Sequence, residues 1–95
     1  MIKVKAMVVL DLVNLLHERE ITFSLEKGTT IRGFLEIMFS KYGPRLEERI
    51  YADKEKDILN LNLYLNGKHI IFLDGLDTVI QDKDTLLFIP FAAGG

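Results

Sequence analysis

The sequence predicts an α+β domain in which one main helix covers a mixed sheet of about four to five strands. Three observations carry that expectation. Residues Ile31 to Tyr42 repeat their apolar positions with the period of a helix. Segments of alternating polarity flank them on both sides, and Asn66-Gly67 separates two later segments as a hairpin turn. The 95 residues fit one domain, and a composition 48% hydrophobic and 27% charged belongs to a globule rather than to a disordered or fibrous chain.

Ile2, Val4, Ala6 and Val8 alternate with Lys3, Lys5, Met7 and Val9, the period of two of a strand with one face toward a core. The second strand places Ile21, Phe23 and Leu25 inward and Thr22, Ser24 and Glu26 outward, and Lys27-Gly28 turns the chain after it. Between them, Asp11 to Glu20 is too long for a tight hairpin, and Leu12, Val13 and Leu16 have the spacing of one short helical turn. Ile31, Phe34, Leu35, Met38, Phe39 and Tyr42 then share one helix face. Thr29 or Thr30 caps the start of that helix, and Gly43-Pro44 stops it. In the charged stretch Arg45 to Asp57, Leu46 and Ile50 anchor a short helix and Asp53 to Asp57 reads as a solvated loop. Leu59, Leu61, Leu63 and Leu65 alternate with Asn60, Asn62 and Tyr64 in a third strand. Lys68 to Leu73 returns as a short strand, Asp74-Gly75 turns again, and Leu76 and Val79 fill a gap under a loop. Asp82-Lys83-Asp84 leads into a last strand from Thr85.

Strand, strand, helix, strand, strand, strand is the order of the ubiquitin-like β-grasp. There the first and last strands lie side by side in the middle of the sheet, and the chain leaves the body from a central strand. Pro90, which fixes φ and donates no ladder hydrogen bond, marks the expected boundary between a body at residues 1–91 and a flexible tail at residues 92–95.

Composition excludes several functions. A net charge of −2 with both signs interspersed offers no basic stripe for nucleic acid. The absence of cysteine excludes thiolate catalysis and thiolate metal ligands. The apolar run Ala6 to Leu10 is cut by Asp11, so no secretion signal or membrane span is expected and the chain reads as cytoplasmic. His17 and His69 have no partner ligands in sequence, and Asp74, Asp77, Asp82 and Asp84 lack the spacing of a calcium loop. Gly28-Thr29-Thr30 lacks the further glycines and the lysine of a nucleotide loop, and helix capping accounts for it. Ser24 and Ser40 are the only serines and neither belongs to a nucleophilic triad. No intrinsic catalytic site, bound cofactor or metal is expected.

The chemistry falls on the end of the chain. Ala92-Ala93-Gly94-Gly95 has almost no side chain, and a terminal glycine pair arises by chance in about one chain in two hundred, so the pair gains weight only from its context. A carboxylate resists nucleophilic attack and must be activated, usually by adenylation with ATP in a partner enzyme. To reach the α-phosphate the tail must thread a narrow channel, which favours residues without Cβ and with free φ and ψ.

Asp84-Thr85-Leu86-Leu87-Phe88-Ile89-Pro90-Phe91-Ala92-Ala93-Gly94-Gly95 resembles the C-terminal signature of the MoaD/ThiS sulfur-carrier family, which includes the small subunit of molybdopterin synthase and the small archaeal modifier proteins. Asn66-Gly67-Lys68, the acidic turn at Asp82-Lys83-Asp84 and the opening Met1-Ile2-Lys3-Val4 are similar to the same family. The resemblance implies that Gly95 is adenylated by an enzyme related to those that charge ubiquitin and converted to a thiocarboxylate. Sulfur then passes to molybdopterin (a molybdenum or tungsten cofactor), thiamin or tRNA precursors, and a larger molybdopterin synthase subunit is a further partner the resemblance implies. Some members are instead joined to lysines. The chain departs from the molybdopterin-synthase pattern at Phe91, where a second proline is common, in its longer Leu10 to Glu20 segment, and in an apparent insertion from Ile50 to Ile58.

Two readings of the surface stay open. Leu87, Ile89 and Phe91, with Met7 and Val9 beside them, are either a docking patch for the activating enzyme or an apolar face covered by the Asp11 to Glu20 connection. For the tail, the alternatives to a sulfur carrier are a lysine-conjugated modifier and a protein-binding module with an inert end.

Overall fold

The computed structural model describes residues 1–91. Its elements are β1 (Ile2–Val8), α1 (Leu12–Leu16), β2 (Glu20–Leu25), α2 (Ile31–Tyr42), α3 (Pro44–Ile50), β3 (Tyr51–Asp53), β4 (Ile58–Leu59), β5 (Leu61–Leu65), β6 (Lys68–His69) and β7 (Thr85–Pro90). Five strands form one mixed sheet in the order β2-β1-β7-β5-β6, and β3 and β4 make a separate hairpin. β1 and β7 run parallel at its centre, with Val8 beside Phe88, while β2 flanks β1 and β5 flanks β7 in antiparallel register. This is the β-grasp, with the first and last strands adjacent as the element order predicts.

The period-two pattern explains the sheet. Val4, Ala6 and Val8 of β1, Ile21, Phe23 and Leu25 of β2, Leu61, Leu63 and Leu65 of β5, and Leu86 and Phe88 of β7 are all buried on one face. α2 lies against that face through Ile31, Phe34, Leu35, Met38 and Phe39, and Phe23 meets Phe34 edge to face at 5.0 Å between ring centroids. The helix starts at Thr30, whose hydroxyl accepts the Gly33 amide at 3.1 Å, and ends at Gly43, whose φ of +94° suits glycine. Pro44 then serves as the first residue of α3, where its missing N–H has no helical partner to lose.

Several local expectations change. The short helix anchored by Leu46 and Ile50 forms as expected, but a hairpin follows it where a loop was expected, because Tyr51 is buried and packs on Phe39; only Lys54 to Asp57 remain as the hairpin turn. The strand expected over Lys68 to Leu73 stops after His69. Its ring Nδ1 accepts the Ile71 amide at 3.1 Å and closes a 3₁₀ turn over Ile70–Phe72, which turns Ile71 and Phe72 out to solvent. Leu76 fills the core as expected but Val79 is exposed; Ile80 is the buried residue of that loop. Asn66 and Gly67 hold φ of +52° and +84°, the two positive angles of a type I′ turn.

Candidate functional site

β7 carries the chain out of the body between β1 and β5, so what flanks its last residues defines the surface from which residues 92–95 depart. Its start is fixed by a polar clamp. Thr85 donates its amide to the Asn66 side-chain oxygen at 2.8 Å, the Asn66 amide nitrogen donates to Asp84 at 2.8 Å, and the Lys3 amide donates to Asp82 at 2.8 Å. The turn residues read from sequence as punctuation therefore also tie the hairpin and β1 to the root of the exit strand.

Alternation then sets which side chains face away from the helices. Leu87 and Ile89 are half-buried on the outer face, Met7 lies directly beside Leu87 in the parallel register, and Met7 is 38% exposed. Tyr64 sits opposite Leu87 and Asn62 opposite Ile89 on β5. The outer face thus joins Met7, Leu87, Ile89 and Tyr64 in one apolar strip. Lys5 paired with Glu20 at 3.4 Å lies on its β2 side, and His69, bonded to Asn62 at 3.0 Å, on its β6 side. Tyr64 was missed as a candidate because its place beside Leu87 depends on a register that only the folded sheet defines; its outward alternation in β5 was the available signal.

The Asp11 to Glu20 connection does not cover this strip with its apolar residues. Leu12 and Leu16 turn into the core, and Val9 stays exposed at the mouth of a groove formed with Leu10, Val13 and Arg19. On the other side of the exit, Phe91 is 52% exposed and lines a second groove with Leu61, Ile71 and Leu76. The five apolar candidates therefore divide between the sheet face and two flanking grooves. Ala92, Ala93, Gly94 and Gly95 lie outside the described residues.

Among the described residues, the ion pairs beside the Phe91 groove lie on the surface. Arg32 binds Asp57 through two hydrogen bonds of 2.6 and 2.9 Å and reaches Asp77 at 3.3 Å, which holds the Asp57 carboxyl below its usual range. Burial raises the Tyr51 phenol, a structural effect of its packing under Phe39. No cluster of three or more metal-ligating side chains exists among the described residues, nor any helix there long and apolar enough to cross a membrane.

A family model for ThiS proteins matches residues 11–95. The chain belongs to the ThiS family. Proteins of the ThiS/MoaD type are carriers and not enzymes, so this ThiS-family chain is a sulfur carrier or a modifier of the same ubiquitin-like design. Solved structures agree on the fold. Small archaeal modifier protein 1 from Methanosarcina acetivorans is 29% identical, with a TM-score of 0.80 over 100% of this chain and 98% of that one. Urm1 from Trypanosoma brucei is 17% identical, with a TM-score of 0.78 over 98% and 95%. The Amycolatopsis orientalis BexX/CysO complex contains a chain 24% identical to this ThiS-family protein, with a TM-score of 0.74 over 97% and 99%. No curated protein matches the sequence significantly.

Proposed function

We propose that this protein is a sulfur carrier whose Gly95 carboxylate is the acyl group an activating enzyme works on. The observation that carries the reading is the family match running through the glycine pair to residue 95, on a body whose central strand β7 delivers the chain to that end. A carboxylate oxygen of Gly95 attacks the α-phosphorus of ATP on the partner, pyrophosphate leaves, and a mixed anhydride forms. Hydrosulfide then attacks the acyl carbon and AMP leaves, giving a thiocarboxylate and releasing a proton. Gly94 and Ala92-Ala93 supply reach, since four extended residues span about 13 Å. The strip of Met7, Leu87 and Ile89, with Val9 and Phe91 beside the exit, is the docking surface for the adenylating enzyme.

The sulfur acceptor we assign first is a molybdopterin precursor, delivered together with a larger synthase subunit, on the resemblance of the Asp84 to Gly95 segment. A second reading, conjugation of Gly95 to lysines of other proteins, is favoured by the 29% identity to small archaeal modifier protein 1. ATP–pyrophosphate exchange with the activating enzyme from the same cells tests the first step. The full chain should support exchange and a chain lacking Gly95 should not, with unchanged thermal unfolding; equal exchange by both would overturn the role of Gly95. Branched glycine remnants on lysines after digestion of the proteome would select the second reading.

A further inference from the structure

The groove that Phe91 lines has a volume of about 470 Å³ and a floor made by one particular piece of the sheet. β6 pairs with Tyr64 and Leu65, so among the described residues Leu61 to Leu63 of β5 have no strand neighbour on that side, where the 3₁₀ turn over Ile70–Phe72 approaches without continuing the sheet, and these three residues line the groove. An unpaired strand edge is a template for another strand. Ile71, 73% exposed, Phe91 and Leu76 supply an apolar wall, which a free surface does not explain. The polar rim is acidic: Asp57, Asp74 and Asp77 stand against the single cation Arg32, which is already engaged by Asp57 and Asp77.

We propose that this groove takes an extended segment of a partner protein, laid along Leu61 to Leu63 as a sixth strand. An apolar side chain of that segment packs against Ile71 and Phe91, and a lysine or arginine faces Asp74 and Asp77. Open edge, apolar wall and surplus negative charge each select the same occupant, an extended basic and apolar peptide, and together they exclude an acidic one. The groove opens at the root of the tail. The inference rests on the carrier reading only for the partner's identity, a protein that acts on or receives Gly95; the groove lies on the β5–β6 side of the exit, apart from Met7 and Leu87, and shares Phe91 with the proposed docking surface.

The test is a titration of the isotope-labelled full chain, followed by amide chemical shifts, with three synthetic peptides: one of alternating lysine and valine, its glutamate counterpart, and the lysine peptide with N-methylated backbone amides. The lysine peptide should shift Leu61 to Leu63, Ile71 and Asp77, and the other two should not. Added salt should weaken it, and Asp74→Lys should weaken it roughly tenfold. Ile71→Ser should weaken it as well. Asp74 and Ile71 are exposed, and an unchanged spectrum elsewhere verifies that each variant folds. Equal effects of the three peptides, shifts confined to Met7 and Leu87, or no shifts would overturn the proposal. A chain that binds the peptide but is never adenylated removes the carrier reading alone, whereas one that is adenylated but ignores the peptide removes the groove alone.

Discussion

At Gly67 the backbone φ of +84° is what closes the β5–β6 hairpin, and a Cβ built there meets nothing within 4 Å. The cost of Gly67→Ala is therefore backbone strain alone. It should lower stability by about 1 kcal/mol in chemical denaturation while leaving the spectrum of the core unchanged. Asp11 offers a second test at single-residue scale. The Arg49 side chain bonds it at 2.6 and 3.2 Å and holds its carboxyl below the ordinary 3.8, against a smaller upward push from burial. A carboxyl depressed in the folded state contributes stability above its unfolded pKa and loses it as pH falls through the folded one. The pair is solvent-exposed, so its worth is about 0.5 kcal/mol. Melting curves of the wild type and Asp11→Asn should stand apart above pH 3.8 and converge only as pH falls on through the lower folded-state value; a difference that does not change with pH would show that the pair contributes nothing. Neither the Arg49 contact nor its 38-residue separation from Asp11 has any trace in the sequence, because surface pairs depend on how α1 and α3 pack.

Among the elements, α2 and β7 were the most legible and β6 the least. α2 has six apolar positions on one face and a capping threonine, so periodicity and cap agree. Thr30→Ala should remove the hydroxyl that accepts the Gly33 amide and lower stability by about 1 kcal/mol, with the loss of helical ellipticity following the same transition; a variant as stable as the wild type would mean that the amide finds water instead. β6 misled because Ile70, Ile71 and Phe72 form an apolar run that fits a strand by composition. The His69 ring caps a 3₁₀ turn instead, an interaction of side chain with backbone that hydrophobic pattern cannot register. α3, β3 and β4 were half visible for the opposite reason. Their buried residues Leu46, Ile50 and Tyr51 are too few to stand out from a charged stretch, although they extend the cover of the core beyond α2.

Across the whole molecule, the fold and the proposed chemistry depend on the same strand. β7 contributes Leu86 and Phe88 to the core, Leu87 and Ile89 to the outer face, and then runs out past Pro90 toward residues 92–95. The alternation in that one segment made the exit and its outer residues readable. The groove was not readable, because Asp57 and Asp77 meet only through Arg32 of α2, and Leu61 joins them only once the 3₁₀ turn over Ile70–Phe72 has packed beside β5. The central claim is that this body presents Gly95 for conversion, through an electrophilic acyl adenylate, to a thiocarboxylate whose sulfur is the nucleophile passed on. Intact mass spectrometry of the protein after incubation with its activating enzyme, ATP and a sulfur source reads that claim directly. The account predicts a mass increase of one oxygen replaced by sulfur, mapped to Gly95 and absent without ATP; a chain whose mass stays unchanged under conditions that turn the enzyme over, or whose sulfur maps elsewhere, would contradict it.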